Sequence, residues 1–199
     1  MKQIILLISS LLFVTSIQAM DLRDFKERSF KGNTDYARDG TGIRGETQGA
    51  ASVLYREEEI DLTQTPILKW RWKISNTYGQ SHDEQSKSGD DYPARLYVVV
   101  KTGFLPWQTL ALNYVWSSNQ PVGTVWKNAY TDKAVMIAVD SGEDKASLWQ
   151  HHQRNVKADF NTHFGIEVDT LHGYAIMVDG DNTGKQATAW FDAVEFVAQ

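Results

Sequence analysis

The segment Ile67-Leu68-Lys69-Trp70-Arg71-Trp72-Lys73-Ile74 puts Leu68, Trp70, Trp72 and Ile74 on one side of an extended chain and Lys69, Arg71 and Lys73 on the other. A strict period of two reads as a half-buried β-strand, because a helix of the same sequence would spread its apolar residues around the whole cylinder. The pattern repeats downstream. After Pro93, Leu96, Val98 and Val100 alternate with Arg95, Tyr97, Val99 and Lys101, and Leu110, Leu112, Tyr114 and Trp116 alternate with Thr109, Ala111, Asn113 and Val115. Val135, Ile137 and Val139, then Tyr174, Ile176 and Val178, then Trp190, Val194 and Phe196 continue it, and TGIRGETQ (41–48) and AASVLYRE (50–57) are weaker strand candidates. Roughly eight strands separated by turn clusters such as SGDD, DSGED and DGDNTG predict an all-β chain, a single antiparallel β-sandwich or jelly roll. One short helix is expected between Trp149 and Phe164, where Leu148, His152, Val156, Phe160 and Phe164 recur every four residues before Gly165.

The 199 residues suit one domain. Lys2 followed by the apolar run Ile4–Val14 and a small-residue stretch ending at Ala19 has the form of a cleavable secretory signal, too short and too interrupted to span a bilayer. The expected organisation is a signal peptide at 1–19 and a single domain at 20–199, monomeric, without a membrane span, and periplasmic or secreted. With 20 Lys and Arg against 25 Asp and Glu, net charge −5, nucleic acid is not an expected partner. The absence of cysteine excludes thiolate chemistry, disulfides and a lipoprotein anchor.

The enzyme signatures with a strong mechanical basis are missing: no G-x-S-x-G, no H-E-x-x-H and no phosphate loop. Gly40, Gly42 and Gly45 fit the dinucleotide spacing but lack the strand before and the helix after it. His151 and His152 are adjacent and do not share a face as ligands do; they read as exposed helix residues. In DGDNTGK, Asp179, Asp181, Asn182 and Thr183 offer hard oxygens around a turn, as a calcium ion favours, or simply form a tight acidic turn. In GDDYPAR, Asp90 and Asp91 precede Arg95; adjacent carboxylates on a strand point to opposite faces, so a hydrolytic pair would need Glu46 or Asp181 from elsewhere, and the alternative is an ion pair fixing a loop.

Seven Trp and eight Tyr suit sugar stacking, with Trp107 and Trp126 as the exposed candidates and Trp70 and Trp72 as core. Lys69, Arg71 and Lys73 could form a cationic face, extended by Arg95 and Lys101 if the two strands are neighbours. The long polar loop Asn76–Asp91 leads directly into the strand that carries Arg95 and Tyr97.

The sequence resembles the domain of unknown function 3047 family of exported bacterial proteins, on GAASVLYRE (49–57), PILKWRWKI (66–74), GDDYPARLYVVV (89–100), QRNVKADFNTHFG (153–165) and MVDGDNTGKQATAWFDAVEF (177–196). The resemblance implies a galactose-binding-like sandwich similar to those of carbohydrate-binding modules, and no established reaction. It also implies a structural calcium site where the last strand meets an early loop, to which Asp192 and Glu46 would contribute. The expected function is non-catalytic binding of a polysaccharide or oligosaccharide through Asp90, Asp91, Arg95, Tyr97, Trp107 and Trp126. The alternatives are a jelly-roll lyase or hydrolase, for which Arg95, Tyr97 and His82 are available, and an envelope protein-interaction scaffold.

Overall fold

The computed structural model describes residues 19–103, 105 and 108–199; the signal-peptide reading and Trp107 lie outside these residues. The strands are β1 (Lys26–Lys31), β2 (Asp35–Asp39), β3 (Gly42–Gln48), β4 (Ala51–Asp61), β5 (Ile67–Ile74), β6 (Ala94–Lys101), β7 (Thr109–Ser117), β8 (Val125–Asn128), β9 (Thr131–Ser141), β10 (Gln150–Asn155), β11 (Thr170–Asp179) and β12 (Gln186–Val197), with the helix α1 (Val156–Phe164) after β10. They form two layers, a seven-stranded sheet in the order β1-β4-β11-β6-β7-β9-β8 and a five-stranded sheet in the order β10-β5-β12-β3-β2. The predicted sandwich is present, with one departure from a purely antiparallel design: β7 and β9 pair parallel. The intervening β8 folds back antiparallel on β9, so the crossover leaves room for that pairing. Among the described residues no helix is long and apolar enough to cross a membrane.

The inward side chains read from the sequence build the core. Leu68, Trp70, Trp72 and Ile74 of β5 are buried against Leu96, Val98 and Val100 of β6, Leu112, Tyr114 and Trp116 of β7, and Ile176 and Val178 of β11. Each fully buried aliphatic side chain contributes about 1.5–3 kcal/mol, whereas an exposed ion pair gives about 0–1, so the inter-sheet layer dominates the outer charges. Polar ties also join the layers. Trp72 Nε1 donates to Asp140 Oδ2 at 2.7 Å, and His152 Nε2 lies 2.6 Å from the same oxygen. Tyr114 Oη donates to Asp159 of α1, which also receives Arg154 of β10.

The helix is shorter than expected. Residues 150–155 form an edge strand paired with β5, and Asn155 then caps α1 by accepting from the Ala158 N–H, with Gly165 in the left-handed conformation closing it. His151 and His152 therefore lie on a strand, and His152 is turned inward onto Asp140. Gly42 has a close-packing reason: a Cβ there would lie 2.3 Å from the Phe191 carbonyl oxygen. The expected extension of the cationic face fails because β5 and β6 belong to different sheets. Arg71 and Lys73 lie instead over the rings of Trp149 and Trp190.

Candidate functional site

The outward face of the seven-stranded sheet carries the residues that alternate with the core: Arg95, Tyr97 and Val99 of β6, Ala111 and Asn113 of β7, Ala134 of β9, and Ala175, Met177 and Asp179 of β11. A pocket of about 530 Å³ opens on this face. Ala51, Ala111, Ala134 and Met177 line it with small or flexible side chains, and Tyr97, Asn113 and Asn128 add polar groups. Phe30, 57% exposed, and Tyr130, 56% exposed, lie on its rim and belong to segments at opposite edges of the sheet. Tyr130 Oη reaches across to the Lys87 carbonyl and Asn182 Oδ1, at 3.1 and 3.0 Å. Three turns thus meet at the end of the pocket where β11 finishes.

Beneath that end lies a buried ion pair. Arg95 Nε donates to Asp179 Oδ1 at 3.1 Å and Nη2 to Oδ2 at 2.6 Å, with both side chains almost fully buried. Nη2 also donates to the Asp90 carbonyl, Nη1 lies 3.3 Å from Tyr97 Oη, and the guanidinium sits 4.3 Å from the centre of the Tyr92 ring. Burial pushes the Asp179 carboxyl up from the usual carboxylate range, with Arg95 pulling the other way. Burial likewise raises the Tyr97 hydroxyl. Partial burial, then the charge of Asp91, raises Asp181.

The sequence-derived ligand residues divide accordingly. Asp90, Arg95 and Tyr97 line the pocket, and Asp91 lies behind it, holding the turn that forms one wall: Asn182 N and Nδ2 donate to Asp91 Oδ1, and Thr183 N donates to Oδ2 at 2.6 Å. Trp126 is not an exposed platform. It is 8% exposed in a small second core with Tyr92, Val115, Met136 and Ala138: β8 lies beside β9 in the sheet, so Trp126 packs with the Met136, Ala138 and Val115 side chains, and the Tyr92 ring, 6.1 Å away, lies against it. His82 does not line the pocket; it sits 3.6 Å from Glu84 in the long loop, and Glu84 is anchored by Ser117 and Ser118. Phe30, Asn113, Asn128, Tyr130 and Met177 were not singled out by sequence, since outward polar and aromatic residues look like any solvated face.

Of the six expected metal ligands, the structure gathers two carboxylates with Asp91: oxygens of Asp91, Asp179 and Asp181 lie within 4.8 Å of one another. Asn182 and Thr183 present backbone N–H groups to Asp91, and are donors there. Asp192 is on the smaller sheet, bonded to Arg71 and Thr41, and Glu46 pairs with Arg44. The donor set fits a calcium ion poorly. The oxygens of Asp91 and Asp179 already receive N–H donors, and Arg95 supplies the positive charge a cation would bring. Melting temperatures should therefore be equal in calcium and in excess chelator. A rise in calcium together with stoichiometric bound metal would instead support the calcium reading.

Residues 23–195 match the family model described as Protein of unknown function (DUF3047). No curated protein matches the chain. Among solved structures, the chain is similar to the xyloglucanase domain of NopAA, a type three effector from Sinorhizobium fredii, solved with cellobiose: TM-score 0.50, 8% identity, 90% of this chain and 96% of that one. It is also similar to a thermostable cellulase derived from Cel12A of Rhodothermus marinus (TM-score 0.49, 9% identity, 88% and 97% covered) and to TmCBM61 in complex with β-1,4-galactotriose (TM-score 0.42, 8% identity, 90% and 91% covered). At such identities the first likeness shows the β-sandwich fold alone.

Proposed function

Since the chain belongs to the DUF3047 family, whose description assigns no reaction, we propose from the site itself that this protein binds a neutral glycan without cleaving it. The observation that carries the reading is the outward trough, floored by small side chains, rimmed by exposed Phe30 and Tyr130, and supplied with the amides of Asn113, Asn128 and Asn182. Ring faces stack on the apolar faces of sugars while amides exchange hydrogen bonds with hydroxyls, which is how a largely apolar pocket acquires orientation. The fold shared with a domain solved with cellobiose supports this reading.

The charges argue against an acidic ligand. Asp90, Asp179 and Asp181 line the pocket against the single cation Arg95, and Arg95 is already paired. A uronate would meet net negative charge and no free guanidinium.

The carboxylates also favour binding over hydrolysis. Glycoside cleavage uses an acid and a second carboxylate flanking the scissile bond. Here Asp179 is held by Arg95 and Tyr92, Asp91 by the 182–183 turn, and Asp90 by the amide of Asn128. Asp181 alone keeps a largely uncommitted carboxylate, with a weak 3.5 Å contact from Asn182. We propose further that 1–19 is an export signal, so that the protein acts in the periplasm or outside the cell.

The test is a panel of xyloglucan, cello-oligosaccharides and oligogalacturonate, assayed for binding by affinity electrophoresis and for new reducing ends or unsaturated products. Retardation by neutral glycans without turnover is expected. Product formation would make the protein an enzyme, and neither binding nor turnover would leave the scaffold reading.

A further inference from the structure

We propose that the trough continues into a second subsite on the same sheet face, so that the ligand is a chain of several sugar units rather than a mono- or disaccharide. This rests on the glycan-binding reading and extends it to the class of glycan.

A second cavity of about 460 Å³ is lined by Tyr55, Val99, Lys101, Thr109, His172 and Ala175, among others. Its relation to the first follows from strand register. Tyr55 of β4 pairs with Ala175 of β11, Ala175 with Tyr97 of β6, and Tyr97 with Asn113 of β7, which forms one row across four strands. Tyr55 and Ala175 line the second cavity, and Tyr97 and Asn113 line the first. The next row repeats the division, with Gly173 and Val99 in the second cavity and Ala111 in the first. The two cavities therefore share rows of one surface, and β4, β11, β6 and β7, which carry those rows, are consecutive neighbours in the sheet. From β9 to β4 the trough crosses four inter-strand spacings, about 19 Å at ~4.8 Å each.

The occupant of the second subsite follows from its continuity with the first and from its chemistry. Tyr55 offers a half-buried ring, and Val99 and Ala175 an apolar floor. His172 Nδ1 accepts the Lys101 backbone N–H at 3.2 Å, which assigns the proton of the neutral ring to Nε2, a donor for a sugar hydroxyl. Lys101 adds a second donor among the lining side chains. An aromatic ring beside hydroxyl-matched donors repeats the composition of the first pocket, as successive units of one chain require.

The experiment is calorimetric titration of cellobiose and cellohexaose, in parallel with xyloglucan oligosaccharides, into wild type, Tyr55→Ala and Thr109→Trp, each confirmed folded by circular dichroism. Thr109→Trp fills the second cavity from an outward strand position, so it tests the subsite even if Tyr55→Ala fails to fold. In wild type the longer ligand should bind at least about tenfold more tightly than the shorter one. Either variant should abolish that gain and leave cellobiose binding unchanged. Length-independent affinity in wild type would overturn the second subsite while leaving the first pocket intact. Equal weakening of short and long ligands by the variants would also overturn it. Absence of binding by wild type to every saccharide would overturn both readings.

Discussion

Arg95→Ala should lower the stability of the protein by about 3–5 kcal/mol, the cost of removing one partner of a buried ion pair and leaving the other charge uncompensated. The guanidinium and the Asp179 carboxylate are 6% and 2% exposed, so water cannot take over the lost contacts. Four attachments disappear together: the two to Asp179, the one to the Asp90 carbonyl, and the contact with Tyr97. At roughly 2–4 °C per kcal/mol for a domain of this size, the melting temperature should fall by about 6–20 °C. The double variant Arg95→Met/Asp179→Leu should recover most of the loss, because an apolar pair of similar volume has no charge to desolvate. Chemical denaturation of the three proteins decides it. A single variant as stable as wild type would mean that the pair is not buried as described. Full stability with lost glycan affinity would return Arg95 to the role of a direct ligand contact.

How far these roles could be read from sequence depended on whether a residue's partner is local. Burial alternates strictly from Leu68 along β5, and β6, β7 and β11, parts of which are buried on both faces, still alternate large core side chains with outward ones such as Arg95, Asn113 and Ala175, so period two is written in their residues. The edge strand β1 is exposed at every position and β2 buries none, so neither carries a pattern to read. The polar strand β10 reads as the start of a helix because its inward residues are His152 and Arg154, whose partners Asp140 and Asp159 come from β9 and α1. The same holds at the site. Arg95 was legible as a charged anchor, and the expected pairing with Asp90 is present at 3.5 Å, but its bidentate partner Asp179 lies 84 residues away, beyond the reach of any local pattern. Trp126 has polar sequence neighbours, and what buries it is packing against Tyr92, Val115, Met136 and Ala138, which come from other strands and from the loop before β6.

The second large effect concerns the floor of the trough. Ala111 sits outward on β7 between Val99 of β6 and Ala134 of β9, and its small side chain leaves the space above it open. Ala111→Trp would place an indole in that space without touching the inter-sheet core, so the fold should survive while the ligand is excluded. The loss should reach about a hundredfold in affinity, ~2.7 kcal/mol, for every glycan that binds wild type. The most direct measurement of the account is therefore calorimetric titration of neutral oligosaccharides into wild type and Ala111→Trp, with matched circular dichroism spectra. Saturable binding by wild type and none by the filled variant is the predicted result; equal binding by both, or no binding of any neutral glycan by wild type, would contradict it.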